Sequence, residues 1–201
     1  MCMLGIFLDI ETTGLDPIRH RPLEIAFEVI DFKEAKTLAC YQSIIRQPLF
    51  IWENKDSKSV EINGFTFDEV QTGKNEQEIA SEIKKIFSDS HIERNNSIFI
   101  CQNPAFDRSF FSQIVPIPLQ EEWQWPYHWL DLASMNWALS ISKNPSSLNI
   151  PLSKNKIAES LGLPPEGDLH RAKAGVSHLI ACYKALFKTF EGKKQKGLLS
   201  D

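Results

Sequence analysis

The sequence predicts an α/β fold, a mixed sheet flanked by helices, and three observations predict it. Short apolar runs of strand length stand near the start and in the middle of the chain. Segments with apolar residues at three- and four-residue spacing dominate its second half. The order of the two, β-β-β-α-β-α-α-α, requires helices packed on a sheet that contains both strand senses. The size agrees: 201 residues, 42% of them hydrophobic and 24% charged, suit one α/β domain with a sizeable core.

The first strand is the run Gly5-Ile6-Phe7-Leu8-Asp9-Ile10-Glu11. From Leu23 to Asp31, Leu23, Ile25, Phe27 and Val29 alternate with polar positions and predict a second strand. Leu38 to Ile45 predicts a third, across a turn at Lys33-Glu34-Ala35-Lys36, so the early strands form an antiparallel meander. Arg46 to Gly64 reads as irregular, anchored by Trp52 and Ile62. Thr66 and Glu69 have the spacing of a capping box for a short helix, and Asn75 to Phe87 carries Ile79, Ile83, Ile86 and Phe87 at helical spacing. Ser97 to Cys101 is a buried strand, followed by a helix from about Phe106 to Val115 that Pro116 and Pro118 end. Further helices are predicted over Leu130 to Ile141, over Ser153 to Leu161 with Gly162 just past its end, and from about His170 to Phe190. Residues 1–190 read as a single domain and 191–201 as a basic, flexible tail carrying Lys193-Lys194-Gln195-Lys196.

Composition excludes several classes. No stretch approaches the ~20 apolar residues of a membrane helix, and no basic segment precedes the first strand, which argues against a secretion signal. Cys2, Cys40, Cys101 and Cys182 are scattered, against a zinc or disulfide framework and for a reducing, cytoplasmic setting. A net charge of −4 argues against a protein that coats duplex nucleic acid. It leaves room for a small site on a strand end, where metal ions bring the positive charge.

Chemistry concentrates in four side chains. Asp9 and Glu11 are two apart on a strand and so share a face. Carboxylates placed side by side at the end of a core strand repel, and a divalent cation with a preference for oxygen is the natural reason to keep them. The competing reading is a solvated strand end running into the turn at Thr12-Thr13-Gly14-Leu15-Asp16-Pro17. Asp107, in the first turn of a helix after a buried strand, either complements the helix dipole or brings a third carboxylate to the strand ends, where ligands gather. His170, in Asp168-Leu169-His170-Arg171, is either a helix-start residue paired with Asp168 or a catalytic imidazole. His20, His91, His128 and His178 read as surface or packing residues.

Three segments carry a family resemblance. Phe7-Leu8-Asp9-Ile10-Glu11-Thr12-Thr13-Gly14-Leu15-Asp16 resembles the first motif of the DEDDh 3′→5′ exonucleases, which include the proofreading subunit of the replicative polymerase, ribonuclease T and oligoribonuclease. Asn103-Pro104-Ala105-Phe106-Asp107 resembles the second motif, and Leu169-His170-Arg171-Ala172 the start of the third. Order and spacing match from Gly5 to about Phe187. Pro22 to Ala26 and Leu130 to Ala133 resemble flanking elements of the family. The Leu15-Asp16 turn and Trp52 lean towards oligoribonuclease and Leu152 to Leu163 towards the proofreading branch.

The resemblance implies a ribonuclease H-like, mixed five-stranded sheet and hydrolysis of single-stranded DNA or RNA from its 3′ end to nucleoside monophosphates. It implies two divalent ions, Mg2+ or Mn2+, held by Asp9, Glu11 and Asp107, with Glu11 also orienting the water and His170 as general base. It places Thr12, Gly14, Leu15, Asn103 and Phe106 around the terminal nucleotide, although core packing explains Leu15 and Phe106 as well. Relatives are often dimers, which keeps a homodimer, with the tryptophan segment as its contact, among the alternatives.

The third motif departs from the pattern. The family's aspartate five residues after the histidine is Gly175 here. Glu166 and Asp168 are the nearest acids in sequence, but both precede the helix whose inner face held the missing group, which argues against either replacing it. The sequence therefore leaves an active exonuclease beside a catalytically silent module that binds nucleic-acid ends. A third alternative is an interaction protein that uses Trp123, Trp125 and Trp129, although packing over the sheet edge explains those residues best.

Overall fold

The structure, a computed structural model, describes residues 3–146, 149–167 and 169–187. One five-stranded sheet organises it, with β1 (Leu4–Thr12), β2 (Pro22–Asp31), β3 (Lys36–Ile44), β4 (Ser97–Cys101) and β5 (Trp129–Asp131) in the order β3-β2-β1-β4-β5. β1, β2 and β3 form the antiparallel meander, whereas β4 runs parallel to both β1 and β5. β1 is therefore the central strand, and its apolar run is buried on both faces.

The pleat of β1 sorts the core into two layers. Leu4, Ile6, Leu8 and Ile10 face one layer, with Ile79, Ile83 and Phe87 of α4 (Glu76–Asp89) and Phe110, Phe111 and Ile114 of α5 (Pro104–Ile114). Phe7 faces the other layer, where α7 (Leu132–Lys143), α8 (Lys154–Ser160) and α9 (Ala172–Leu186) supply Leu132, Ile157, Val176 and Leu179. Asp9 and Glu11 share the face of Phe7 and so turn towards the α9 layer.

Several predicted boundaries change. Arg46 to Gly64 holds two short helices, α1 (Leu49–Glu53) and α2 (Ser57–Asn63). Trp52 does pack against the small core of Leu23, Phe65 and Val70, but the Ile62 side chain is exposed and anchors nothing. The buried anchor is Asn63, whose side-chain NH2 donates to the Thr12 carbonyl while its Oδ1 accepts from the Phe65 amide. Thr66 caps α3 (Phe67–Gln71) by accepting from the Glu69 amide, and Asn75 and Glu78 form a reciprocal capping box on α4.

The prolines predicted to end α5 also start α6 (Ile117–Glu122), whose first turn tolerates Pro because its N–H needs no partner. The predicted helix from Leu130 is in fact a strand followed by a helix. Asp131 ends β5 and caps α7 by accepting from the Ala133 and Ser134 amides. The final helix begins at Ala172, not at His170. Residues 188–190 of that expected helix and the expected tail at 191–201 lie outside the described residues.

The tryptophan segment packs on the sheet edge. Trp129 stacks on Phe99 at 4.0 Å and Trp125 is buried against Phe87 at 4.7 Å. Trp123 lies against Trp125 and takes the Lys84 ammonium on its face. Cys40, Cys101 and Cys182 are free thiols. Among the described residues no helix is long and apolar enough to cross a membrane.

Candidate active site

β1 and β2 are in register at Asp9–Ala26 and Glu11–Glu24 until a bulge between Glu11 and Thr12 ends the regular pairing. The two carboxylates thus stand on the last ordered turn of the pleat. Glu24 is buried, and its oxygens accept from the Gln42 side chain and from the Ala172 amide at 2.8 Å. It caps the start of α9 and ties that helix to the sheet beside Glu11.

α9 approaches β1 closely because Gly175 has no side chain. A Cβ at that position would lie 2.1 Å from Asp9 Oδ2 and 2.7 Å from its Cγ, so the Asp9 carboxylate fills the space the side chain would need. Gly175 is buried inside a helix, where glycine costs about 1 kcal/mol relative to alanine. Gly175→Ala is nevertheless expected to destabilise the protein by about 1–2 kcal/mol, because crowding a packed site typically costs ~1–3 kcal/mol and the Asp9 Cγ contact obliges the carboxylate to leave its position. Urea denaturation of both proteins measures it; a stabilised alanine variant would mean that Asp9 moves freely.

The site is a cavity of about 340 Å3 lined by residues that include Asp9, Glu11, Phe106, Asp107, Lys154, Glu166 and His170. Asp107 reaches it from the first turn of α5 and is buried at 2% exposure, so its carboxylate does more there than decorate a solvated helix end. His170 reaches it from the segment before α9, which contacts from three successive residues hold in place. The His170 amide donates to the Ile62 carbonyl at 3.0 Å. Arg171 grips Glu69 through two hydrogen bonds while its guanidinium lies 3.9 Å from the Phe65 ring centroid. Ala172 is tied to Glu24.

Electrostatics mark the cavity as short of positive charge. Burial pushes Asp9 up to about 6, with Glu166 and Glu24 adding to the shift and Lys154 opposing it. Burial, then Asp9 and Glu24, push Glu11 up to about 8. Asp107 is also raised, by burial first and by Asp9 second. The nearby ammonium belongs to Lys154, at the start of α8, with Nζ 2.8 Å from Glu166 Oε2 and 3.9 Å from Asp9 Oδ1. Burial works to lower the Lys154 pKa, but Asp9 and Glu166 outweigh it and the net shift is upward.

The all-oxygen donor set of Asp9, Glu11 and Asp107 fits a hard divalent cation such as Mg2+ or Mn2+. A buried carboxylate oxygen of Glu166, Oε1, has no hydrogen-bond partner, which also suits a site that takes up a cation. As placed, no three His, Cys, Asp or Glu side chains among the described residues enclose a metal position. The donors ring the cavity, with Lys154 among them, and do not form a closed coordination shell.

Of the residues expected around a terminal nucleotide, Phe106 lines the cavity and packs on Phe110 at 4.8 Å, so its packing role holds and its ring stands at the cavity wall. Thr12, Gly14, Leu15 and Asn103 lie outside the lining. Thr12 donates from its hydroxyl to the Gly14 carbonyl and is buried. Gly14 lies under the His20 ring, and His20 Nδ1 accepts from the Asp16 amide. Leu15 is 74% exposed, which overturns its reading as a core residue. Asn103 has a left-handed backbone, φ 60°, and its amide donates to Asp131 Oδ1, so it shapes the turn into α5.

Sequence reasoning missed Lys154 and dismissed Glu166. The dismissal assumed that an acid ahead of α9 cannot reach its inner face. The loop from Gly162 instead returns along α8, where the Glu166 amide donates to Asn155 Oδ1 and the side chain turns into the cavity. No local motif marks such a return, and only an acid without an obvious partner could have signalled it.

The fold and the site define the class: an α/β domain with carboxylates gathered at the ends of its central strand and first parallel neighbour. The model of the RNase T family, described as Exonuclease, matches residues 6–174, and the chain belongs to that family. No curated protein matches the chain in sequence. Among solved structures, Escherichia coli Exonuclease I in complex with a dT13 oligonucleotide is similar at 21% identity and a TM-score of 0.72, covering 95% of this chain and 42% of that one. Apo Exonuclease I gives 21% identity and a TM-score of 0.72, over 96% of this chain and 44% of that one. The zinc-bound form of the E. coli ExoI–ssDNA complex gives 21% and 0.71, over 96% and 42%. These likenesses establish the fold, and this chain spans less than half the length of those chains.

Proposed function

We propose that the chain is a metal-dependent 3′→5′ exonuclease that releases nucleoside monophosphates from single-stranded ends. The observation that supports this most is the meeting of Asp9, Glu11, Asp107 and His170, distant in sequence, at one cavity. Neighbours of the same fold hold dT13 and dA16 oligonucleotides, and one is an ssDNA complex, which favours DNA as the first substrate to test.

Asp9, Glu11 and Asp107 would hold the divalent ions, which when bound supply an activated water and stabilise charge on the phosphate and leaving oxygen. His170 accepts the proton of the attacking water, since imidazole exchanges protons near neutral pH. Phe106 offers a ring to the terminal base, and stacking accepts any base. Leu15, an exposed side chain outside the cavity lining, would wedge against the same nucleotide.

The test is a 5′-labelled single-stranded oligonucleotide incubated with the protein and Mg2+ or Mn2+. A ladder shortening from the 3′ end is expected. Full-length label with either ion would overturn the proposal. The second reading, a silent end-binding module, is favoured by Gly175 and by the ammonium of Lys154 among the carboxylates. Strand binding without shortening would support it.

A further inference from the structure

We infer that Glu166 supplies the carboxylate that position 175 lacks, and that Lys154 is its resting counter-ion, displaced when a divalent cation enters. The inference rests on the exonuclease reading above and names further residues of the same site.

The helix route to the missing ligand is closed, because the Asp9 carboxylate occupies the space beside Gly175. Glu166 approaches the same cavity from the loop before α9. Its side chain is 2% exposed, Oε2 accepts from the Lys154 ammonium at 2.8 Å, and Oε1 is buried with no partner. A buried carboxylate with an unsatisfied oxygen is costly unless something else binds there. Glu24, on the neighbouring strand, has both oxygens satisfied by the Gln42 side chain and the Ala172 amide, whereas among the carboxylates lining the cavity Glu166 keeps a buried oxygen without a donor.

The charge balance points the same way. Asp9, Glu11, Asp107 and Glu166 line the cavity together with the single ammonium of Lys154. That ammonium touches Glu166 and stands 3.9 Å from Asp9, which bridges the two acids now. A divalent cation bound by Asp9 and Glu166 would take over this role, and the flexible lysine stem allows the ammonium to withdraw. Metal uptake and the Lys154–Glu166 ion pair therefore compete.

Calorimetric titration of the full chain with Mn2+ tests this, with Glu166→Gln, Lys154→Met and Asp9→Asn beside the unaltered protein. Glu166→Gln is expected to weaken Mn2+ binding by at least about tenfold to a hundredfold, the loss typical of removing even a group that only supports a metal ligand. Lys154→Met is expected to tighten it, and to enlarge the rise in melting temperature that Mn2+ produces. If Asp9→Asn loses Mn2+ but Glu166→Gln binds it as the unaltered protein does, the role of Glu166 fails and the exonuclease reading stands. If Lys154→Met leaves the affinity unchanged or weakens it, the counter-ion role fails, whether or not Glu166→Gln folds. If the unaltered protein takes up no Mn2+, both the inference and the metal-dependent reading fall.

Discussion

Asp9→Asn is expected to lower 3′-end hydrolysis by on the order of 10²–10³-fold or more, the scale on which losing one preorganised electrostatic group slows an enzyme. Asp9 meets several parts of the site: Lys154 at 3.9 Å, the Gly175 position on α9, and Asp107, whose pKa it raises. The same substitution is expected to leave the folded state at least as stable at pH 7. In the folded protein Asp9 is pushed from 3.8 up to about 6. The unfolded chain therefore releases its proton at lower pH, and the ionised group costs stability as pH rises from about 4 through 6. The asparagine variant escapes that cost, and its advantage fades as pH falls below about 4. Paired melting curves and turnover measurements separate lost chemistry from lost fold. A variant that is both inactive and strongly destabilised at pH 7 would assign Asp9 to structure alone.

Phe99→Ala is expected to cost about 3–5 kcal/mol, the usual penalty for truncating a buried aromatic ring. Phe99 is fully buried on β4, stacked on Trp129 at 4.0 Å and packed against Phe111 at 5.4 Å and Phe87 at 6.2 Å. It joins the edge strand β5, α4 and α5 through one ring. Against a typical domain stability of about 5–15 kcal/mol, that is a large fraction. Urea unfolding at 25 °C measures it. A loss below about 1 kcal/mol would mean that Trp129 and Phe111 close over the gap. Because α5 also carries Asp107, a drop in activity larger than the unfolded fraction explains would show that this packing positions the site.

The strands were legible where periodicity and burial agreed. β1 is apolar on both faces because helices cover both, and its Asp9 and Glu11 stood out as charges in a run that otherwise belongs in a core. The helices with a strong apolar stripe, α4 and α9, were legible for the same reason. Three-residue β5 was not, because Leu130 continues into an apolar helical segment and only the pairing with β4 pulls Trp129–Asp131 into the sheet. The short helices between Arg46 and Gly64 bury almost nothing: α1 has no buried residue and α2 only Asn63. They left no hydrophobic period to read.

At the site, Asp107 and His170 were found because each sits in a motif at the start of a helix or just before one. Glu166 and Lys154 belong to no motif. Their contact depends on how the loop after α8 folds back, and the electrostatic partner of a buried lysine cannot be read from local spacing. Gly175 was legible as a departure from the family, but its physical meaning, room for the Asp9 carboxylate, needed the helix and strand side by side.

Anomalous diffraction from crystals soaked in Mn2+ would test the central claim most directly. The expected result is a manganese peak in the cavity bounded by Asp9, Glu11 and Asp107, with the Lys154 ammonium drawn away from Glu166. An ion-free cavity at saturating Mn2+, with Lys154 still bound to Glu166, would contradict it.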